Sequence, residues 1–462
     1  MSEGMRMKLM NLCVKDINIL HELNKFHQKF TEMFRTKTRN LKEQALQYMK
    51  GKFIEKGRGN MTSYARCVEG TNNQRVTHFI SDSPWDVEPV IEQIQADVTN
   101  LIGDKINGSI HLDESGFKKD GKNSVGVKRQ YLGRLGKVDN CQMGVFLGYA
   151  CGNRRTLIDE RLYLPEEWAN DLKRRKKCGV PDDIVFQTKG QLGWEMLLGA
   201  KNRGVPFGWV GMDCFYGEQP WLLDKIDAND MIYIADIPCD TQVWLEKPKI
   251  EVPEKKGICG PDPKIKKLVS GEPLPVQVQK LAGELESSRY TRVFLRETER
   301  KELWSLLACL RVYPVRDKLP GDETWLIIRK DEGENKTKYQ LSNAPDDTSI
   351  DRLGQMSCSR FWIERAFEDG KGGAGLADYQ VRGWTGWHHH MVMTLLAMLF
   401  ILQMTVKWGE KAEMMTVQDV KYVLEVILPK NKVTEEEILA IIEGKHQARL
   451  SARKSHHRRN GF

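Results

Sequence analysis

Residues 206–213, Pro206-Phe-Gly-Trp-Val-Gly-Met-Asp213, form a short apolar run that stops on a carboxylate. A run this short, set between proline and glycine signals, reads as a buried strand. Just before it, Gln191 to Lys201 has the character of a helix, and beyond it Met231 to Ile237 repeats the buried-strand pattern. Upstream, Ser109-Ile-His-Leu-Asp113, Val125 to Leu132 and Gln142 to Ala150 read as three more strands, with Asp120-Gly121 as a hairpin-turn pair. Three strands followed by alternating helix and strand predict a mixed α/β sheet.

The flanks differ in character. Residues 1–104 read as a basic helical domain, with a helix over 8–56, another from Met61 to about Ile80, and a helix-start signal at Ser83-Pro84-Trp85-Asp86. Residues 105–245 carry the first part of the sheet. Residues 247–275 hold six prolines and seven lysines and read as an exposed loop or linker. It opens an inserted, β-rich subdomain over 246–344, with strands at Arg289 to Arg296, Thr324 to Arg329 and Lys336 to Leu341, and one helix near Glu299 to Leu310. Residues 345–405 return to the core through a helical segment, and 406–462 form a helical C-terminal region with a basic tail. Thr416-Val-Gln-Asp419 and Thr434-Glu-Glu-Glu437 are N-terminal capping patterns.

Composition narrows the class. The chain has 462 residues, 40% of them hydrophobic and 29% charged, which argues for a folded globular protein and against wholesale disorder. The most apolar run, Met391 to Met404, falls short of the roughly 20 residues that span a bilayer and reads as a buried helix, so no membrane is expected. The N-terminus lacks an apolar signal core. Ten cysteines with no C-x-x-C pair fit a reducing cytoplasm better than a disulfide scaffold or zinc finger. The net charge of +8 is uneven: residues 1–80 carry 15 basic against 7 acidic side chains, and 445–462 carry 6 basic and none acidic. Basic ends suit a polyanion, although solvated basic termini are also common. The mildly acidic centre suits a carboxylate cluster.

Three residues on the returning helix draw attention. At about 100° per residue, Glu364 and Lys371 lie about 40° and 20° from Arg360, so all three project from one face. A carboxylate between two cations can ligate a metal while phosphates are held on either side. The same spacing also describes an ordinary solvated Arg–Glu pair, worth a few tenths of a kcal/mol. Asp113 and Asp213 each end an apolar strand, and strand ends of such sheets gather ligand-binding residues. Together with Glu364 they would make an all-oxygen cluster of the kind Mg²⁺ prefers. Either aspartate alone is as easily a turn former.

Taken in order, these pieces resemble the DDE transposases of bacterial insertion sequences. The resemblance is to the branch whose third acidic residue lies in a Y-x2-R-x3-E-x6-K signature. Arg360-x3-Glu364-x6-Lys371 matches its last three elements. Leu112-Asp113-Glu114-Ser115-Gly116-Phe117 resembles the first-aspartate motif, and Trp209 to Gly217 the second. Tyr339 to Pro345 resembles the last inserted strand before the catalytic helix. The resemblance implies an RNase H-like core interrupted by the β-rich insertion. It implies Asp113, Asp213 and Glu364 as catalytic ligands of two Mg²⁺ ions, with Mn²⁺ able to substitute. It further implies Arg360 and Lys371 gripping phosphates, and cleavage at terminal inverted repeats followed by strand transfer to target DNA. The expected setting is a DNA-bound homodimer in the bacterial cytoplasm, at the nucleoid. Lys118, Lys119, Lys122, Lys128 and Arg129 near Asp113 are positioned to track a DNA backbone, or equally to protect a sheet edge.

The sequence departs from the signature at Ser357, where the family has tyrosine, and this puts a hairpin-ended DNA intermediate in doubt. Glu114 and Glu368 are rival carboxylates. His388-His389-His390 looks like a metal tract, but consecutive helical residues point different ways, so core or DNA-backbone packing is expected. Trp304 and Trp325 in the insertion are candidates to stack on an extruded base, with core packing the more ordinary role. Two competing functions share these features: a domesticated DNA-binding protein without catalysis, against which the intact triad argues, and a metal-dependent endonuclease on the same core.

Overall fold

The computed structural model describes residues 18–55, 59–253, 264–297, 302–334, 336–410 and 415–431, and scattered positions between 439 and 455. The described part opens with helices α1 (Ile19–Gln28), α2 (Lys42–Ile54), α3 (Met61–Cys67), α4 (Asn73–Ser81) and α5 (Glu88–Ile102). Asparagines 18, 60 and 72 cap α1, α3 and α4, each side chain accepting from the amide three residues on. Helix α5 starts later than Ser83-Pro84-Trp85-Asp86 predicts. Pro89 occupies its first turn, and Asp86 Oδ1 accepts the Glu88 amide at 3.0 Å. Trp85 is buried instead, because the adjoining core offers its ring two stacking partners, Phe79 at 5.3 Å and His389 at 3.8 Å.

Strands β1 (Gly108–Lys118), β2 (Lys128–Leu132), β3 (Lys137–Cys151), β4 (Arg154–Leu162), β5 (Trp209–Met212) and β6 (Tyr233–Ile237) follow. β3 runs antiparallel between β1 and β4, while β5 lies parallel to β1 and β6 parallel to β5. The order β4-β3-β1-β5-β6, with its change from antiparallel to parallel at β1, is that of an RNase H-like core. Helix α6 (Lys189–Asn202) crosses β1 closely at Gly193, where a Cβ would lie 2.5 Å from a Leu112 methyl. Asp120-Gly121 does not close a hairpin between β1 and β2. Both strands pair with β3, Lys118 and Lys128 each opposite Cys141, so this dipeptide lies in a connection that crosses over.

After β6 come β7 (Thr291–Glu297), β8 (Glu302–Arg316), β9 (Thr324–Asp331) and β10 (Thr337–Ser342), an antiparallel series. β10 pairs onto the edge of β6, with Tyr339 opposite Ile237, so the inserted strands extend the core sheet. The helix expected from Glu299 to Leu310 is strand in its described part. A short apolar run carries little periodicity of its own, and β7 and β9 supply ladder partners on both sides. The ends of the Pro- and Lys-rich stretch pair as a two-stranded ribbon, Ile250–Glu251 with Lys267–Leu268. Residues 254–263 within it lie outside the described residues.

Helices α7 (Ile350–Cys358), α8 (Phe361–Gly373), α9 (Trp384–Gly409) and α10 (Val417–Ile427) complete the fold. Thr416 and Asp419 form the expected capping box, whereas Thr434 to Glu437 lie outside the described residues. By length and composition α9 could cross a membrane, yet 83% of its most apolar stretch is buried within this protein. Its histidines are spent there. His388 Nδ1 meets Glu160 Oε1 at 2.8 Å, His389 lies between the Ile80 and Trp85 carbonyls, and His390 between the Tyr48 hydroxyl and the Gly375 carbonyl. Lys52 of α2 is also buried, donating to the Ala374 carbonyl at 3.1 Å and to Thr394 Oγ1 at 2.7 Å. The N-terminal helices and α9 thus share one apolar core with the sheet. Trp85→Ala would remove a stacked ring at that junction. The expected loss is about 3–5 kcal/mol, read as a lowered urea midpoint.

Candidate active site

β5 ends at Met212, and Asp213 then caps the short helix Cys214–Gly217, its Oδ1 accepting the Tyr216 amide at 3.3 Å. Asp113 lies midway along β1, just past Leu112, the last residue paired with β5. Both aspartates therefore sit where β5 stops and β1 runs on. Helix α8 lies across the other side of β1. Its Ile363 packs over Gly148 of β3, and Phe367 meets Phe146 edge-on at 5.5 Å. Phe146 is the register partner of Asp113, which brings the first turn of α8, and Glu364 with it, beside Asp113. A 2.7 Å ion pair between Arg155 and Asp369 fixes the far end of the helix.

Arg360 draws the carboxylates together. Its Nη2 donates to Glu364 Oε1 at 2.5 Å, its Nε lies 3.1 Å from Asp236 Oδ2, and its Nη1 lies 3.6 Å from Asp113 Oδ2. Asp113 is largely buried and Glu364 is half exposed, so the cluster opens on one side. Burial raises the Asp113 carboxyl above the usual carboxylate range, Asp213 repels it further, and Arg360 offsets part of this. Asp213 is raised too, by burial first and then by Glu114, against the pull of Arg360. One guanidinium thus leaves negative charge in excess. The donor set is all oxygen, which fits a hard divalent cation. Among the described residues, no three His, Cys, Asp or Glu side chains converge closely enough to hold a metal ion as they stand. Arg360 provides the positive charge.

The rival carboxylates have partners of their own. Glu114 Oε1 pairs with Lys189 at 2.5 Å and its Oε2 accepts from the Tyr216 hydroxyl at 3.2 Å. Glu368 pairs with Arg365 at 2.6 Å. Ser357 is buried, donating to the Gly354 carbonyl and accepting from Arg329 Nη1 at 3.2 Å. Lys371 sits in the last turn of α8, its ammonium 5.5 Å from the Phe367 ring. Among the candidate backbone-tracking cations, Lys118 pairs with Asp139, Lys128 pairs with Glu167, and Lys119 donates to the Tyr379 carbonyl. Lys122 and Arg129 are exposed. Trp325 donates to the Pro345 carbonyl and packs against a second apolar cluster. Trp304 lies beneath the Arg292 guanidinium, 4.1 Å from its ring centre.

Asp236 and Gln340 were not evident from the motifs. Gln340 Nε2 donates to Asp236 Oδ1 at 2.6 Å and to the Ser357 carbonyl at 3.0 Å, which fixes the carboxylate that holds Arg360. The available signal was a lone carboxylate in the apolar strand next to the one ending at Asp213.

Comparison with known proteins gives the chain a family. The family described as DDE superfamily endonuclease matches residues 25–302, a span that includes both aspartates and ends before Glu364. The chain is also 26% identical over 336 residues, 70% of its own length and 73% of the relative's, to a protein of Microchaete diplosiphon described as a probable transposase for insertion sequence element IS701. With more than half of its length matched, the chain belongs to the DDE superfamily of endonucleases.

Proposed function

We propose that the protein cuts DNA at the terminal inverted repeats of its own insertion sequence and joins the freed ends to target DNA, with Asp113, Asp213 and Glu364 as the catalytic set. The observation that carries this reading is the convergence of buried Asp113 with Asp236 and Glu364 on Arg360 at the open end of the sheet. Asp113, Asp213 and Glu364 would hold two Mg²⁺ ions, or Mn²⁺ in their place. Bound there, the ions supply Lewis-acid activation of the attacking oxygen and charge stabilisation of the leaving one. In the first reaction a water oxygen attacks the scissile phosphorus, and the P–O3′ bond breaks to release a 3′-OH. In the second, the oxygen of that 3′-OH attacks a target phosphorus, and the target's own P–O3′ bond breaks to release a new 3′-OH.

Arg360 fits a phosphate-holding role in both reactions. With Asp113 and Glu364 engaged by cations, it keeps Asp236 as its anchor and presents its free donors to the scissile phosphate. Lys371, farther along α8, adds a second cation for the same strand. Lys118, Lys119, Lys122, Lys128 and Arg129 would follow the duplex away from the site, Lys122 and Arg129 with the least rearrangement. The basic helical region, residues 1–104, would recognise the ends. Residues 105–245 and 345–405 would form the catalytic core around the 246–344 insertion, with the 406–462 region adding a basic tail. Two copies would act together on paired ends, in the bacterial cytoplasm at the nucleoid.

Two substitutions test the reading. Purified protein with Mg²⁺ and labelled duplex carrying the element's end should cut at the element boundary and yield joined products with target DNA. Asp213→Asn should lose both activities while keeping its affinity for the duplex, measured by gel shift. Cleavage unchanged in that variant would remove Asp213 from the catalytic set; cleavage without joined products would favour a simple endonuclease. Asp236→Asn should leave DNA affinity near that of the parent. Its cleavage rate should fall by about 10- to 100-fold, because a misplaced Arg360 no longer holds the phosphate in line.

A further inference from the structure

Beyond Leu112, β1 leaves β5 behind and continues as part of an arm that projects past the catalytic end of the sheet. The arm consists of β1 from Asp113 to Lys118, the first half of β3, and β2, which pairs with β3 from Lys137 to Cys141. A turn at Gly133–Leu135, closed by Gly136 at φ 61°, forms its tip. Large apolar side chains are normally covered, yet Tyr131 is 64%, Val138 51% and Leu135 42% exposed here.

Register places these residues. Tyr131 is directly opposite Val138, and Arg129 opposite Asn140. Side chains alternate along β3, so Val138 and Asn140 share a face with Phe146, the partner of Asp113. The exposed apolar pair and Arg129 therefore lie on the face of the sheet that carries Asp113. From Phe146 to Lys137 the strand covers about 30 Å, close to the length of nine base pairs of B-DNA. Residues 118–140 hold seven basic and two acidic side chains, so the surface around the apolar tip is cationic. Lys122, on the loop between β1 and β2, is exposed, next to Gly121, whose carbonyl accepts from Asn140 Nδ2 at 2.9 Å.

We infer that this arm is a DNA-docking surface: Tyr131, Val138 and Leu135 press against the sugars and base edges of the substrate duplex about nine base pairs from the cleaved bond, and Arg129 holds the adjoining phosphate. An apolar tip ringed by cations matches a duplex groove, with apolar atoms on the sugars and charge on the flanking phosphates. A second copy of the chain is the rival occupant, but the net positive charge of residues 118–140 would face itself across a symmetric contact. The inference rests on the DNA-cleaving reading above.

The test compares the full-length parent with a Tyr131→Ala/Val138→Ala double variant on a duplex carrying the element's end. Both side chains are exposed, so thermal melting should be unchanged. Affinity for the duplex should weaken about tenfold. Hydroxyl-radical protection should disappear about nine base pairs from the cleaved bond and persist at the cleavage site. Equal affinity and an unchanged footprint would overturn the inference. So would a loss of self-association in the DNA-free variant, measured by light scattering, with the footprint intact. If the parent neither binds nor cuts the duplex, the underlying reading fails and the inference with it.

Discussion

The guanidinium of Arg360 is the contact on which the site depends. It reaches Glu364 on its own helix, Asp236 on β6 and Asp113 on β1, three elements that come from separate parts of the chain. Carboxylates placed this close repel one another, and burial makes the repulsion worse. Without a cation between them, the open end of the sheet would carry unbalanced negative charge and would tend to separate. An arginine suits this position better than a lysine, because its planar fork serves several oxygens at once and stays charged when buried. In the proposed chemistry divalent metal would meet the same need for positive charge, so the resting contact and that chemistry have one electrostatic cause.

Much of the remaining structure holds that arginine in place. Trp209, at the start of β5, donates its indole N–H to Ser359 Oγ at 2.9 Å, tying the residue before Arg360 to the strand that ends at Asp213. Arg329 of β9 pairs with Asp331 through both carboxylate oxygens and donates to the Ser357 carbonyl at 2.6 Å. Gln340 of β10 bridges Ser357 and Asp236. The inserted strands therefore do more than extend the sheet. They position the junction between α7 and α8, on which Arg360 stands, and Ser357 serves this junction from a buried place.

How much of this could be read beforehand varied with the physics of each part. The sheet core was legible because its strands are short apolar runs punctuated by glycine and proline, and the capping box at Thr416 and Asp419 is a local pattern. The returning helix was legible because Arg360 and Glu364 sit four residues apart, and the structure pairs them. The strand from Glu302 to Arg316 was misread as helix because apolar runs of that length have no decisive period, and its pairing partners are distant in sequence. Asp120-Gly121 was misread as a hairpin turn because a turn pair does not say which strands it joins. Asp236 and Gln340 escaped notice because the Gln340–Asp236 bond and the Arg360–Asp236 pair each join residues more than one hundred positions apart.

The central claim is that Asp113, Asp213 and Glu364 form one divalent-metal site around which Arg360 is arranged. Electron paramagnetic resonance of Mn²⁺ added to the full-length protein on its end duplex tests this most directly. The account predicts a spin-coupled Mn²⁺ pair in the parent that is lost in Asp113→Asn. Bound Mn²⁺ with an identical spectrum in both proteins would contradict it.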